Sequence, residues 1–173
     1  MRVLAYCAAQ FAESTRRAAG VVPLMAPPDT LDCAVRPDLL YLALHGRPGD
    51  AWLYGDANWP ALRAAQINGD WRGVTVFAAT CFLPETPFLE AFIRAGAMVI
   101  AGRGDNFTPA RSLAGASLLG LWVRRGLEWG GSPAAALALG KARVRLQIGN
   151  RAAARDALAF QCYMGVNYAR SEL

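Results

Sequence analysis

His45 is the only histidine in this 173-residue chain, and Cys81 is one of four cysteines. Each ends an apolar run. Leu39, Leu40, Tyr41, Leu42, Ala43 and Leu44 lead into His45-Gly46, and Val74, Thr75, Val76, Phe77, Ala78, Ala79 and Thr80 lead into Cys81. A thiol beside an imidazole can attack an acyl carbon, with the ring taking the thiol proton and handing it to the leaving group. An isolated thiol, with a pKa of about 8.5, offers little thiolate at neutral pH, so such a nucleophile needs its base close by. Neighbouring parallel strands lie about 5 Å apart. If the two runs pair in parallel, ring and thiol project from the same edge of one sheet.

The spacing allows this. The two residues are 36 positions apart (81 minus 45), and a parallel pair needs a crossover of at least a dozen residues. Both runs are apolar throughout rather than alternating, the mark of strands covered on both faces.

The rest of the chain supplies the scaffold. Arg2 to Cys7 reads as a first strand, Phe11 to Ala19 as a helix closed by Gly20, and Val21 to Ala26 as a second strand stopped by Pro27 and Pro28. After the run into His45, Trp52 to Tyr54 with Gly55-Asp56 suggests a small hairpin. Trp59 to Ile67 has helical spacing up to the Asn68-Gly69 turn. Thr86-Pro87 is a cap followed by a first-turn proline, predicting a helix through Ala95 that ends at Gly96. Ala97 to Ala101 reads as a fifth strand. Pro109 to Arg125 and Pro133 to Leu146 then have helical spacing with no strand between them, and a further helix runs from Arg151 toward Phe160. Phe160 to Tyr168 fits either a last strand or an extended cover. Strands alternating with helices predict an α/β fold with a mostly parallel sheet, whose ligands collect at the carboxyl ends of strands. His45 and Cys81 both sit at such ends.

Composition narrows the class. Hydrophobic residues make up 54% of the chain, enough for one domain over 1–173 with a substantial core. The formal charge of +5 is almost wholly arginine, Lys141 being the only lysine. The arginines are spread along helical segments, as solvated faces require, and no nucleic-acid-binding motif accompanies them. Met1 to Ala9 is too short for a secretory apolar region, and no stretch reaches the roughly 18 apolar residues of a membrane span. A soluble, cytoplasmic protein without membrane association is the expectation. Cys7, Cys33, Cys81 and Cys162 lack zinc-ligand spacing, and Asp50, Asp56 and Asp70 are too scattered for a cation site. Neither metal nor cofactor is expected. Gly102-Arg103-Gly104 follows a strand, but Phe107 occupies the last glycine position of a dinucleotide fingerprint. Asn106-Phe107-Thr108 is a glycosylation sequon without a secretion signal. The tryptophans do not interleave with arginines as a base-stacking platform would.

These residues together resemble the caspase-like cysteine peptidases, and among them the CHAT domain. The resemblance runs from about Asp38 onward. It covers the strand into His45-Gly46, the strand into Ala78-Ala79-Thr80-Cys81, the helix with Phe88, Leu89, Phe92 and Ile93, and the strand Gly96 to Ile100. It continues through the turn Asp105-Asn106 and the late segment Gly131-Ser132-Pro133 with Ala136-Leu137 and Lys141-Ala142-Arg143. The resemblance implies a three-layer sandwich and a thiol endopeptidase in which Cys81 is the nucleophile and His45 moves protons. Gly46 N–H and Cys81 N–H would form the oxyanion hole. It also implies a protein or peptide substrate; the danger that a free protease poses in the cytosol is the ground for expecting a regulatory protein partner.

Some relatives cleave after arginine or lysine with a carboxylate in the first specificity pocket. The position two before the cysteine, acidic in some of them, is Ala79 here. Asp105 is the candidate pocket carboxylate, and Glu85 the second choice. No side chain stands out in the sequence to orient the imidazole, a task a backbone carbonyl can perform. Two other readings stand beside the peptidase: a non-catalytic interaction module of caspase-like shape, and a thiol hydrolase or transferase acting on another acyl ester or amide.

Overall fold

The computed structural model describes residues 1–146 and 151–165. Six strands form one sheet: β1 (Val3–Ala8), β2 (Leu24–Ala26), β3 (Leu39–Ala43), β6 (Thr75–Ala78), β7 (Met98–Ala101) and β8 (Gln161–Tyr163), in the order β2-β1-β3-β6-β7-β8. All neighbours are parallel except β8, which runs antiparallel to β7. The segment from Phe160, open in the sequence between strand and cover, is thus an edge strand over Gln161–Tyr163; residues 166–168 lie outside the described ones.

Side chains alternate along a strand, and every side chain of β3 is buried, so the sheet needs a layer on each face. Leu40, Leu42, Leu44, Val76, Ala78 and Val99 pack with Phe88, Leu89 and Phe92 of α2 (Pro87–Arg94), and with Leu53, Leu62 and Trp71. On the opposite face Leu39, Tyr41, Phe77 and Ile100 meet Ala18 and Ala19 of α1 (Ala12–Ala19), Leu119 and Val123 of α3 (Gly115–Glu128), Val144 of α4 (Pro133–Arg145) and Ala157 of α5 (Arg151–Leu158). α3 crosses the sheet on Gly120, where a Cβ would stand 2.5 Å from the Tyr41 ring and 2.7 Å from that of Phe77; only glycine permits so close an approach. Among the described residues no helix is long and apolar enough to cross a membrane.

Local chemistry set most helix ends. Gly20 adopts φ 74° after α1, and Arg124 of α3 donates from Nε to Ala18 O at 2.9 Å, placing a cation at that helix's carboxyl end. The Thr86 side chain accepts from Phe88 N–H, with Pro87 in the first turn of α2.

Two elements differ from expectation. Trp59 to Ile67 is not a helix. Pro60–Arg63 is strand β5, antiparallel to β4 (Trp52–Tyr54), and Ala64–Gln66 is a single 3-10 turn. Leu62 opposite Leu53 buries both side chains, and pairing satisfies the backbone of β4, a strand that no helix could hydrogen-bond. The tertiary partner outweighed helical spacing that was only two turns long. The helix expected from Pro109 begins instead at Gly115, because Ala116 N–H bonds back to Phe107 O and holds the intervening residues in an irregular loop.

Candidate active site

The β3–β6 ladder pairs Leu39 with Thr75 and Leu42 with Ala78, a register that brings His45 opposite Cys81 three places on. Contacts beyond the ladder keep the two chains together. Ala79 N–H donates to Leu42 O at 2.8 Å, and Leu44 N–H donates to the buried Thr80 Oγ1 at 3.3 Å. The Gly46 main chain then lies directly on the Cys81 carbonyl, so that a Cβ on residue 46 would stand well inside 3.0 Å of Cys81 O. The two strand ends predicted to be neighbours are neighbours.

The hairpin has a task here. His45 N–H donates to Tyr54 O at 2.8 Å, and Tyr54 N–H donates to His45 O at 2.9 Å, so β4 clamps the histidine backbone from outside the sheet. On its other flank lies the loop after β1. The amide nitrogen of Gln10 is 2.6 Å from His45 Nε2, and the Phe11 ring centroid is 5.3 Å from that of the imidazole. Gln10 N–H donates to Asp56 Oδ2 at 3.0 Å, tying this loop to the hairpin tip. Gln10 thus orients the imidazole, a role the sequence did not reveal. The signal was there in principle: β1 lies beside β3, so residues after Ala8 must reach the His45 end.

Cys81 opens a sharp turn. Phe82 has φ 56°, in the left-handed region that bulky residues avoid, and its N–H donates to Gly104 O at 2.9 Å. The loop after β7 is thereby drawn over the thiol. Asn106 N–H reaches Cys81 Sγ at 3.2 Å, and the buried Asn106 side chain donates from Nδ2 to Thr80 O at 2.8 Å. Burial pushes the Cys81 thiol up from its ordinary pKa; the Asn106 N–H opposes this, and the Asp105 and Asp156 carboxylates add to it. Among the described residues no hydrogen bond joins imidazole to thiol. The ring is bonded to Gln10 and the thiol to the Asn106 backbone.

Gly46 N–H meets no backbone acceptor among the described residues, and the Cys81 N–H is turned toward its own sulfur. Asp105 is exposed beside Cys81, close enough to act on its thiol. Glu85 has a bracing role: its Oε1 accepts from Gly104 N–H at 3.1 Å, and its carbonyl accepts from Gly49 N–H at 2.7 Å. Asp156, on α5, joins Asp105 in giving the thiol an acidic surrounding that sequence reading missed, because α5 reaches the site only through the packing of the helical layer. Among the described residues no three His, Cys, Asp or Glu side chains converge as a metal site would need. Comparison with protein-family models and with curated proteins returns no match.

Proposed function

We propose that the protein is a caspase-like cysteine endopeptidase with a His45–Cys81 dyad, working on a protein or peptide substrate in the cytoplasm under a regulatory partner. The observation that supports it best is the meeting of the two strand ends, with the Gly46 main chain against the Cys81 carbonyl. In this reading the Cys81 proton passes to His45 and the thiolate attacks a peptide carbonyl. The oxyanion is held by Gly46 N–H and Cys81 N–H, and the imidazolium protonates the leaving amine. Asn106 N–H, already on the sulfur, stabilises the thiolate as it forms. A carboxylate at Asp105, with Asp156 near the same thiol, favours a substrate with a basic side chain at the cleaved bond.

The test is labelling of the four cysteines with limiting iodoacetamide or a peptidyl acyloxymethyl ketone, read by mass spectrometry in wild type and His45→Ala. Fast labelling confined to Cys81 and lost in the variant is the expected result. A second reading, an interaction module without turnover, is favoured by the resting pairing of thiol with Asn106 and ring with Gln10. It requires slow labelling of Cys81 that does not depend on His45.

A further inference from the structure

We propose that Gln10 is the positioning residue for His45: its side-chain amide decides which ring nitrogen carries the proton, and so whether the ring can take a proton from Cys81. The inference rests on His45 acting as base in the dyad. Strand order supplies the geometry. β3 lies between β1 and β6, so His45 has Gln10 on one flank and Cys81 on the other. Its Nε2 is taken by Gln10 at 2.6 Å, which leaves Nδ1 as the nitrogen for the thiol.

An amide nitrogen can only donate. In the arrangement observed, Nε2 therefore accepts, and the proton of the neutral ring sits on Nδ1. A protonated Nδ1 cannot take the Cys81 proton, and in this arrangement the thiol is paired with the Asn106 backbone. Turning the Gln10 amide over by 180° presents Oε1, which can only accept. Nε2 then holds the ring proton and Nδ1 a lone pair. From that state the proton on Cys81 Sγ moves to Nδ1, giving thiolate and imidazolium. The imidazolium keeps its Nε2–H on Gln10 Oε1, and no atom is gained or lost. The same amide serves both states because it carries a donor and an acceptor a half-turn apart. Gln10 is exposed, so packing does not block the rotation, while its N–H bond to Asp56 Oδ2 fixes the backbone from which the side chain turns.

Since His45 is the only histidine, its ring nitrogens can be read without assignment by 15N NMR of histidine-labelled protein. In neutral solution wild type should show the proton on Nδ1. Gln10→Glu, which can only accept, should move it to Nε2, and Gln10→Leu should lose the wild-type pattern. Cys81 alkylation at pH 7 should rise about tenfold in Gln10→Glu, the least expected of a carboxylate set against an imidazolium, and that gain should vanish when His45→Ala is added. An identical ring pattern in wild type and Gln10→Glu, or a wild-type pattern surviving in Gln10→Leu, would overturn the assignment to Gln10. A tautomer that inverts while alkylation stays unchanged would instead uphold Gln10's hold on the ring and count against the dyad.

Discussion

Gly46→Ala tests the geometry on which the site depends. A Cβ at residue 46 would stand well inside 3.0 Å of the Cys81 carbonyl oxygen and 3.1 Å from Thr80 Cγ2. Neither neighbour can swing aside. The carbonyl belongs to the main chain, and Thr80 is fully buried with its hydroxyl accepting from Leu44 N–H and its carbonyl accepting from Asn106 Nδ2. Restoring ordinary contact needs the ends of β3 and β6 to part by roughly 1 Å. Overpacking of this kind costs about 1–3 kcal/mol, and at about 2–4 °C per kcal/mol for a chain of this length the melting temperature should fall by about 2–12 °C. On the proposed dyad, a displacement of ~1 Å between base and nucleophile is also enough to lose about 10²-fold in rate, so the His45-dependent alkylation of Cys81 that the proposal expects should collapse with it. Gly49→Ala is the control. It has φ 72° with nothing within 4 Å of the added Cβ, so it costs about 1–2 kcal/mol of left-handed strain and leaves Cys81 reactivity alone. If Gly46→Ala melted with wild type and alkylated at the wild-type rate, the two strand ends would not be in contact, and the dyad would lose its structural basis.

Other consequences can be checked separately. Asn106→Ala removes a buried bond and leaves Thr80 O unpaired, which should cost about 1–3 kcal/mol in urea denaturation; a change under 0.5 kcal/mol would mean that the loop after β7 does not depend on it. Asp105→Asn lifts a negative charge from beside the thiol and should speed Cys81 alkylation by roughly two- to fivefold while slowing cleavage of arginyl reporters. Unchanged kinetics on both would remove Asp105 from the site. Phe82→Val places a β-branched residue at φ 56° and should cost about 1–2 kcal/mol, more than Phe82→Asn, with thermal melts giving the order.

Alkaline pH should weaken the fold. Burial raises the Cys7 thiol to about 11, so between about pH 9 and 11 the native state holds a proton that the unfolded chain has released. Stability present below the unfolded value is lost across that window, by about 2–3 kcal/mol. Cys7→Ala should flatten the fall, and an equal slope in both proteins would refute the attribution.

The adjacency of the His45 and Cys81 strand ends, the parallel sheet and most helix ends were legible in the sequence, because they depend on local signals: an apolar run ending on His45 or Cys81, Thr86-Pro87 at a helix start, Gly20 at a helix end. Burial on both faces makes β3 apolar throughout, and nothing distant is needed to see it. What joins residues from separate strands was not legible. Gln10 meets His45 because β1 lies next to β3. Asn106 meets the sulfur because the loop after β7 is drawn over Cys81 by the Phe82 to Gly104 bond. Asp156 arrives with α5. The segment from Trp59 to Ile67 shows the same limit for secondary structure, since its helical spacing gave way once β4 offered backbone partners. Sequence determined which residues can do chemistry and the ends of which strands carry them. Only tertiary structure decided what each hydrogen-bonds, because a donor and an acceptor far apart in the chain become partners through sheet order and packing, which leave no local trace.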